Sequence, residues 1–257
     1  TSIPPHNLGE VIDATIALIR DPNMSVDELM EFIPAPDYPT GALVMGRAAI
    51  RQAYRNGKGA AVIRAKTDIE ELPNGKSRIV ITEIPYQVNK AKLIETIADQ
   101  VRDKRLEGIA DIMEETDRTG MRIVIETKRD ANAQVVLNNL FKQTNLQITQ
   151  SIILLALVDG VPKILNLKEI LEHYIAHQED VIIRRTRFDL ERAEEREHIL
   201  SGLAIALASI DEVIEVIKKS KDRQDAMDQL MSRFELSDNQ AKPVLEMKLQ
   251  RLTSLEV

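Results

Sequence analysis

Between Leu167 and about Ser209 the chain has no proline and a single glycine, Gly202. Positions 167, 171, 174, 178, 181, 185, 188, 192, 196, 199, 203, 206 and 210 advance in steps of three and four, the period of one helical stripe. At about 1.5 Å per residue such a helix runs roughly 60 Å, far beyond an ordinary globular helix. The sequence therefore predicts an element that projects from its domain. Its stripe is apolar at both ends, with Arg185, Arg192 and Arg196 interrupting the middle. A stripe of this kind needs a helical partner. Only two shorter helices, near 222–234 and 238–250, are expected after it. The simplest expectation is that the returning helix is missing and that the chain is a fragment cut at both ends.

Composition narrows the function. The 257 residues carry 34 basic and 41 acidic side chains, a formal charge of −7, and are 44% hydrophobic, which excludes wholesale disorder. Aromatics make up 3% with no tryptophan, so the core must be aliphatic. Cysteine is absent, which removes disulfides, thiol nucleophiles and thiolate metal sites. No apolar run approaches the roughly 18–20 residues of a membrane span, and the opening TSIPPHN has no signal-peptide character. A cytoplasmic chain with no membrane partner is expected. Net charge argues against nucleic acid, yet patches matter more than sums. From Tyr38 to Thr67 there is no Asp or Glu, while Arg47, Arg51, Arg55, Lys58, Arg64 and Lys66 all fall inside.

Local patterns place these residues. Asn7 caps an amphipathic helix over 8–20, and Ser25 with Glu28 forms a capping box for a second. The Pro34–Pro39 segment reads as an extended linker and a boundary. Arg47–Asn56 is a helix ended by Gly57. Strands follow over 60–72 and 77–84, joined by an Asn74-Gly75 hairpin turn. A helix over 90–104 is capped by Asn89. A second strand pair spans 109–116 and 121–128, and another helix spans 131–142. With a hairpin around Asp159-Gly160, the class is α+β. On this reading Arg47, Arg51 and Arg55 share a helix face, and Arg64 and Lys66 share a strand face. Both would be phosphate-contacting surfaces. Lys90 and Lys92, at a helix N-terminus that attracts anions, would add a further phosphate site.

Other patterns carry less. His173 and His177 are one helical turn apart, but no HExxH pattern or third ligand accompanies them. Glu114, Glu115 and Asp117 read as a solvated turn. No glycine-rich phosphate loop occurs. The mixed charges of 184–197 read as a solvated coiled-coil surface.

Several motifs resemble, in order, the A subunits of bacterial type IIA DNA topoisomerases. They are Ile3-Pro-Pro-His-Asn-Leu8, Pro36-Asp-Tyr-Pro-Thr-Gly41, Glu83-Ile-Pro-Tyr-Gln-Val-Asn-Lys90, Gly120-Met-Arg-Ile-Val-Ile125, Lys128-Arg-Asp-Ala131, Leu137-Asn-Asn-Leu140, His198-Ile-Leu200 and Leu249-Gln-Arg-Leu-Thr253. The spacing of Gln87–Lys90 and Val136–Leu140 looks more like the gyrase branch than the topoisomerase IV branch. The resemblance implies that residues 1–35 end a winged-helix region and 36–165 form the tower and its return connection. It further implies that 166–210 is the ascending coiled-coil helix and 211–257 begins the C-terminal gate. The whole protein would belong to an ATP-dependent type II topoisomerase that introduces negative supercoils. This part would bind and bend the cleaved duplex and link the DNA gate to the exit gate. The family's nucleophilic tyrosine lies in an Arg-Tyr-Thr pattern that none of Tyr38, Tyr54, Tyr86 and Tyr174 occupies, so the segment alone should be inactive. Implied partners are double-stranded DNA, the gyrase B subunit, and a second copy of the A subunit, in a heterotetramer of two A and two B chains. ATP and magnesium would sit on the B subunit, with no cofactor or metal held here. Two alternatives are the A subunit of topoisomerase IV, a decatenase, and a non-enzymatic α+β scaffold on a coiled coil. Pro243, inside the helix opened by Ser237, departs from the family pattern and puts that helix's geometry in question.

Overall fold

The computed structural model describes residues 2–73, 75–118 and 120–247. Local signals set the first elements. Asn7 accepts from the amides of Gly9 and Glu10 to start α1 (Leu8–Arg20), and the reciprocal Ser25–Glu28 box starts α2 (Val26–Phe32). A short β1 (Leu43–Val44) and α3 (Arg47–Asn56) come next. Gly57, at φ +71°, ends α3 in the left-handed region, and a Cβ there would sit 2.4 Å from the Leu165 carbonyl oxygen. Then follow β2 (Lys58–Arg64), β3 (Lys66–Glu71), β4 (Ser77–Glu83), α4 (Lys90–Arg102), β5 (Ile109–Glu114), β6 (Ile123–Thr127) and α5 (Ala133–Gln143). After these come β7 (Gln147–Ile153), the β8 (Leu155–Val158) and β9 (Val161–Ile164) hairpin, and α6 (Leu167–Ala208). The remaining described helices are α7 (Ile210–Lys219), α8 (Arg223–Phe234) and α9 (Asp238–Leu245). The α+β class is as expected from the sequence.

Residues 1–176 form one compact unit. It holds two cores. The antiparallel sheet β3-β4-β6-β5 packs Ile79, Ile81, Ile123 and Ile125 against Leu93 and Ile97 of α4 and Leu137 and Leu140 of α5. The second core gathers Ala14 and Leu18 of α1, Leu29 and Ile33, Ile50, Ala53 and Tyr54 of α3, Ala61, Ile152, Leu167 and Leu171. The first two helices thus share a core with α3, across the Pro34–Pro39 segment. Side chains are overwhelmingly aliphatic, with Tyr54 the fully buried exception.

The expected strand over 60–72 is two strands in two sheets. The chain turns out of the β1-β2-β7 sheet at Ala65, whose amide donates to the Leu146 carbonyl at 2.7 Å, and enters the four-stranded sheet at Lys66. Contrary to the expectation from their spacing, Arg64 and Lys66 therefore do not share a strand face. No glycine or proline marks the break; it depends on a carbonyl contributed by the returning chain.

Residues 177–257 form the other unit. The 42-residue α6 matches the length read from the stripe. It opens at a box like that of α2: Asn166 accepts from the Glu169 amide at 2.9 Å and Glu169 accepts from the Asn166 amide at 2.7 Å. Helix α7, almost wholly inside the segment that the resemblance assigns to the gate but over which the local pattern predicts no separate helix, buries Val213 and Val216 beside Ala206, Leu230 and Val244. Helix α9 continues through Pro243 to Leu245, and the last part of the expected 238–250 helix lies outside the described residues.

Candidate nucleic-acid interface

Helix α3 is amphipathic in the expected sense. Ile50, Ala53 and Tyr54 enter the core, and Arg47, Arg51 and Arg55 are exposed on the other side. What the spacing does not reveal is the neighbour. Helix α2 brings Asp27 against this face, where one carboxylate oxygen accepts from Arg55 Nε at 3.1 Å and lies 3.7 Å from Arg51 Nε; the other is bonded to the Arg55 guanidinium. That hydrogen bond to Arg55 holds the Asp27 carboxyl below its ordinary range. Glu28, Glu31, Arg47 and Arg51 share the adjoining cleft of about 360 Å³. The pairs are exposed and individually weak, yet the surface is mixed in sign.

Lys58 and Arg64 belong to a different surface. Strand β2 pairs antiparallel with β7, setting Lys58 opposite Ile153, Ala60 opposite Ser151, Val62 opposite Thr149 and Arg64 opposite Gln147. Facing residues across such a ladder point to the same side. The alternate set, Ala61, Ile63 and Ile152, is buried, and α3 packs on that side so closely that a Cβ on Gly59 would lie 2.6 Å from Ala53 Cβ. Lys58 and Arg64 thus lie on the sheet face turned away from α3. Arg64 donates from Nε to Gln147 Oε1 at 2.7 Å and stacks over the Phe141 ring at 4.6 Å. Lys58 has no ion-pair partner among the described residues.

The remaining cations stand apart. Lys66 pairs with Glu83 at 3.2 Å. The Ala42 amide, then Lys66, hold the Glu83 carboxyl below its usual range. At the start of α4, Lys90 is ion-paired with Glu114 and bonds the Thr116 hydroxyl at 3.3 Å, while Lys92 is exposed. Asn89 already caps the Lys92 amide at 3.0 Å. The expected phosphate site there holds one committed lysine and one open one. Glu115 pairs with Arg122 at 3.0 Å, and no group of three or more metal-ligating side chains occurs among the described residues.

The eight cations therefore do not make one patch. They are distributed over the α3 face, the outer sheet face, the edge of the second sheet and the α4 N-terminus. Sequence reasoning missed the neutral residues between Lys58 and Arg64 on the sheet face: Gln147, Thr149 and Ser151. Their signal is the alternation of polar and apolar residues within 147–153.

The family model for the A subunit of DNA gyrase and topoisomerase IV matches residues 1–257. The chain belongs to that family. It is 61% identical to the DNA gyrase A subunit of Halalkalibacterium halodurans, 58% to that of Clostridium acetobutylicum and 53% to that of Streptococcus pneumoniae, each over 100% of this chain. It spans 31% of the length of these relatives. These matches favour the gyrase branch over topoisomerase IV. Among the described residues no helix is long and apolar enough to cross a membrane.

Proposed function

We propose that this chain is the tower, coiled-coil arm and first gate helices of a gyrase A subunit, which holds and bends the arms of the duplex that the enzyme cleaves. The proposed boundaries are 1–35 for the end of the winged-helix region, 36–165 for the tower and return connection, 166–210 for the arm and 211–257 for the gate. The whole enzyme would introduce negative supercoils by ATP-dependent strand passage. A second A subunit would complete the dimer, and the B subunit would hold ATP and magnesium in the cytoplasmic enzyme. This segment has no candidate nucleophile in the family's motif and is proposed to be inactive alone.

The observation that carries the DNA role is a set of exposed cations within an acid-free run of a chain whose net charge is −7. Contacts from such side chains go to phosphates, which positions a duplex without reading its sequence. An enzyme that acts at many sites requires this, and bending is offset by the added contacts. The test is a salt titration of duplex binding by the 257-residue chain, beside a variant with Arg47, Lys58, Arg64 and Lys66 changed to Ala. Each phosphate-neutralising cation contributes about 0.9 to the slope of log K against log salt. A steep wild-type slope that falls by about two units or more supports the role. Equal, shallow slopes would reject it and leave the scaffold alternative.

A further inference from the structure

We infer that the free edge of β7 is a docking site for an extended, uncharged segment of a partner protein, which adds to the β1-β2-β7 sheet as a further strand. Strand β7 ends that sheet, with β2 on one side only. The Leu154 amide donates to the Gly57 carbonyl at 2.8 Å, while Ile153 exchanges both backbone bonds with Ser2, at 3.3 and 3.2 Å. Backbone groups alternate in direction along an antiparallel strand. Ile148, Gln150 and Ile152 therefore turn theirs toward β2, and Thr149 and Ser151 turn theirs outward. Among the described residues no backbone group pairs with them there. The chain's own N-terminal segment starts along this edge and leaves it. Continued antiparallel from the Ser2–Ile153 bridge, Pro4 would face Ser151, and a proline has no N–H to give.

The place so left is a cleft of about 630 Å³, lined by residues 2–5, by Tyr86, Gln87 and Val88, and by residues 148–151 of β7. The Ser2 pair bounds the open edge at Ile153, and the Gln147 amide is turned to the Thr144 carbonyl at 3.5 Å. Between these limits the edge runs roughly 17 Å at the rise of a β-strand, the reach of a short segment. The lining defines what fits. No residue in it is charged, in a chain that is 29% charged. A Lys or Glu brought here would lose hydration with no counter-charge to receive it. The outward amides and carbonyls match a peptide backbone, and strand addition draws its affinity from such bonds. A phosphate backbone, which only accepts, would leave the outward carbonyls unmet. Gln150 Oε1 is also buried with no hydrogen-bond partner among the described residues. A buried acceptor in that state is costly, and a donor from the incoming segment would relieve it.

The experiment selects binders to the 257-residue chain from a phage-displayed library of short random peptides. Residue-resolved amide hydrogen exchange is then read with and without a synthetic copy of the selected peptide. In the free chain the Thr149 and Ser151 amides are expected to exchange fast, and those of Ile148, Gln150 and Ile152 slowly. The selected peptides should be uncharged, should slow the Thr149 and Ser151 amides several-fold, and should bind Ser151→Pro several-fold more weakly. Proline there removes an N–H that β2 does not use, and slow exchange at Ile152 reports that the sheet is intact. Should that variant lose the sheet, the exchange result on the unaltered chain decides. Thr149 and Ser151 amides already slow in the free chain, a selection without binders, or binders that leave both amides unchanged would overturn the proposal. Acidic peptides displaced by duplex DNA would overturn it too, and would assign the binding to the cations described above.

Discussion

His6 and Tyr54 show how a single pair ties distant segments together. The Pro4 carbonyl lies 2.8 Å from His6 Nδ1 and can only accept, so Nδ1 carries the proton and Nε2 of the neutral ring accepts from the Tyr54 hydroxyl at 2.7 Å. Burial pushes the His6 pKa below its ordinary value, while the Pro4 bond and the Asp37 charge oppose this; burial also raises the Tyr54 pKa. A base with a lowered folded pKa binds fewer protons folded than unfolded, so stability rises with pH. Its contribution is complete above about pH 6.5, the unfolded value, and is lost as pH falls from there through the folded value. The thermal midpoint should therefore drop between pH 7.5 and 5.5, and His6→Gln should flatten that segment of the profile. An unchanged profile in the variant would assign the drop to other groups. Tyr54→Phe should cost about 1–2 kcal/mol in denaturant unfolding, since a buried acceptor loses its donor. Nothing local in the sequence announces this pair, because its members are 48 residues apart.

At the level of elements, caps were legible and crossings were not. Asn7, Ser25, Asn89 and Ser237 each begin a helix where their spacing predicts. A cap joins residues two or three apart, so it is visible in the chain itself. The end of β2 at Ala65 requires the Leu146 carbonyl, and α7 begins after Ser209 with no glycine or proline as a sign. Asn166→Ala should lower stability by about 1 kcal/mol through loss of the α6 cap, measured by denaturant unfolding. Gly59→Val should cost about 1–3 kcal/mol, because a side chain there overpacks the α3–β2 contact. If instead it proves neutral, the closeness of that contact carries no energetic weight.

For the whole molecule, the lesson of the candidate interface is one of sign. Spacing correctly placed Arg47, Arg51 and Arg55 on one helical face, but a face is charged only in company, and Asp27 comes from another helix. The acid-free run was real in the sequence and divided in space. Asp27→Asn should free two guanidiniums, so the variant should bind a polyanion such as heparin more tightly than wild type, eluting later in a salt gradient. Unchanged elution would mean that Asp27 does not limit those arginines.

The backbone bond between Ala65 and Leu146 has a consequence for how this architecture can be built and rebuilt. Residues 66–145 leave the β2–β7 ladder and return to it at adjacent positions, immediately after the Arg64–Gln147 pair. They carry their own core, to which the flanking chain adds only Ala65 and Leu146. They are in effect a cassette spliced into a hairpin. Removing the cassette and closing Arg64 to Gln147 through a two-residue Asn-Gly loop restores the simplest connection an antiparallel pair can have. The remaining core, from Ala14 to Leu171, contains no residue of the cassette. Lineages could therefore lengthen, exchange or remodel that insert while the surrounding framework keeps its register.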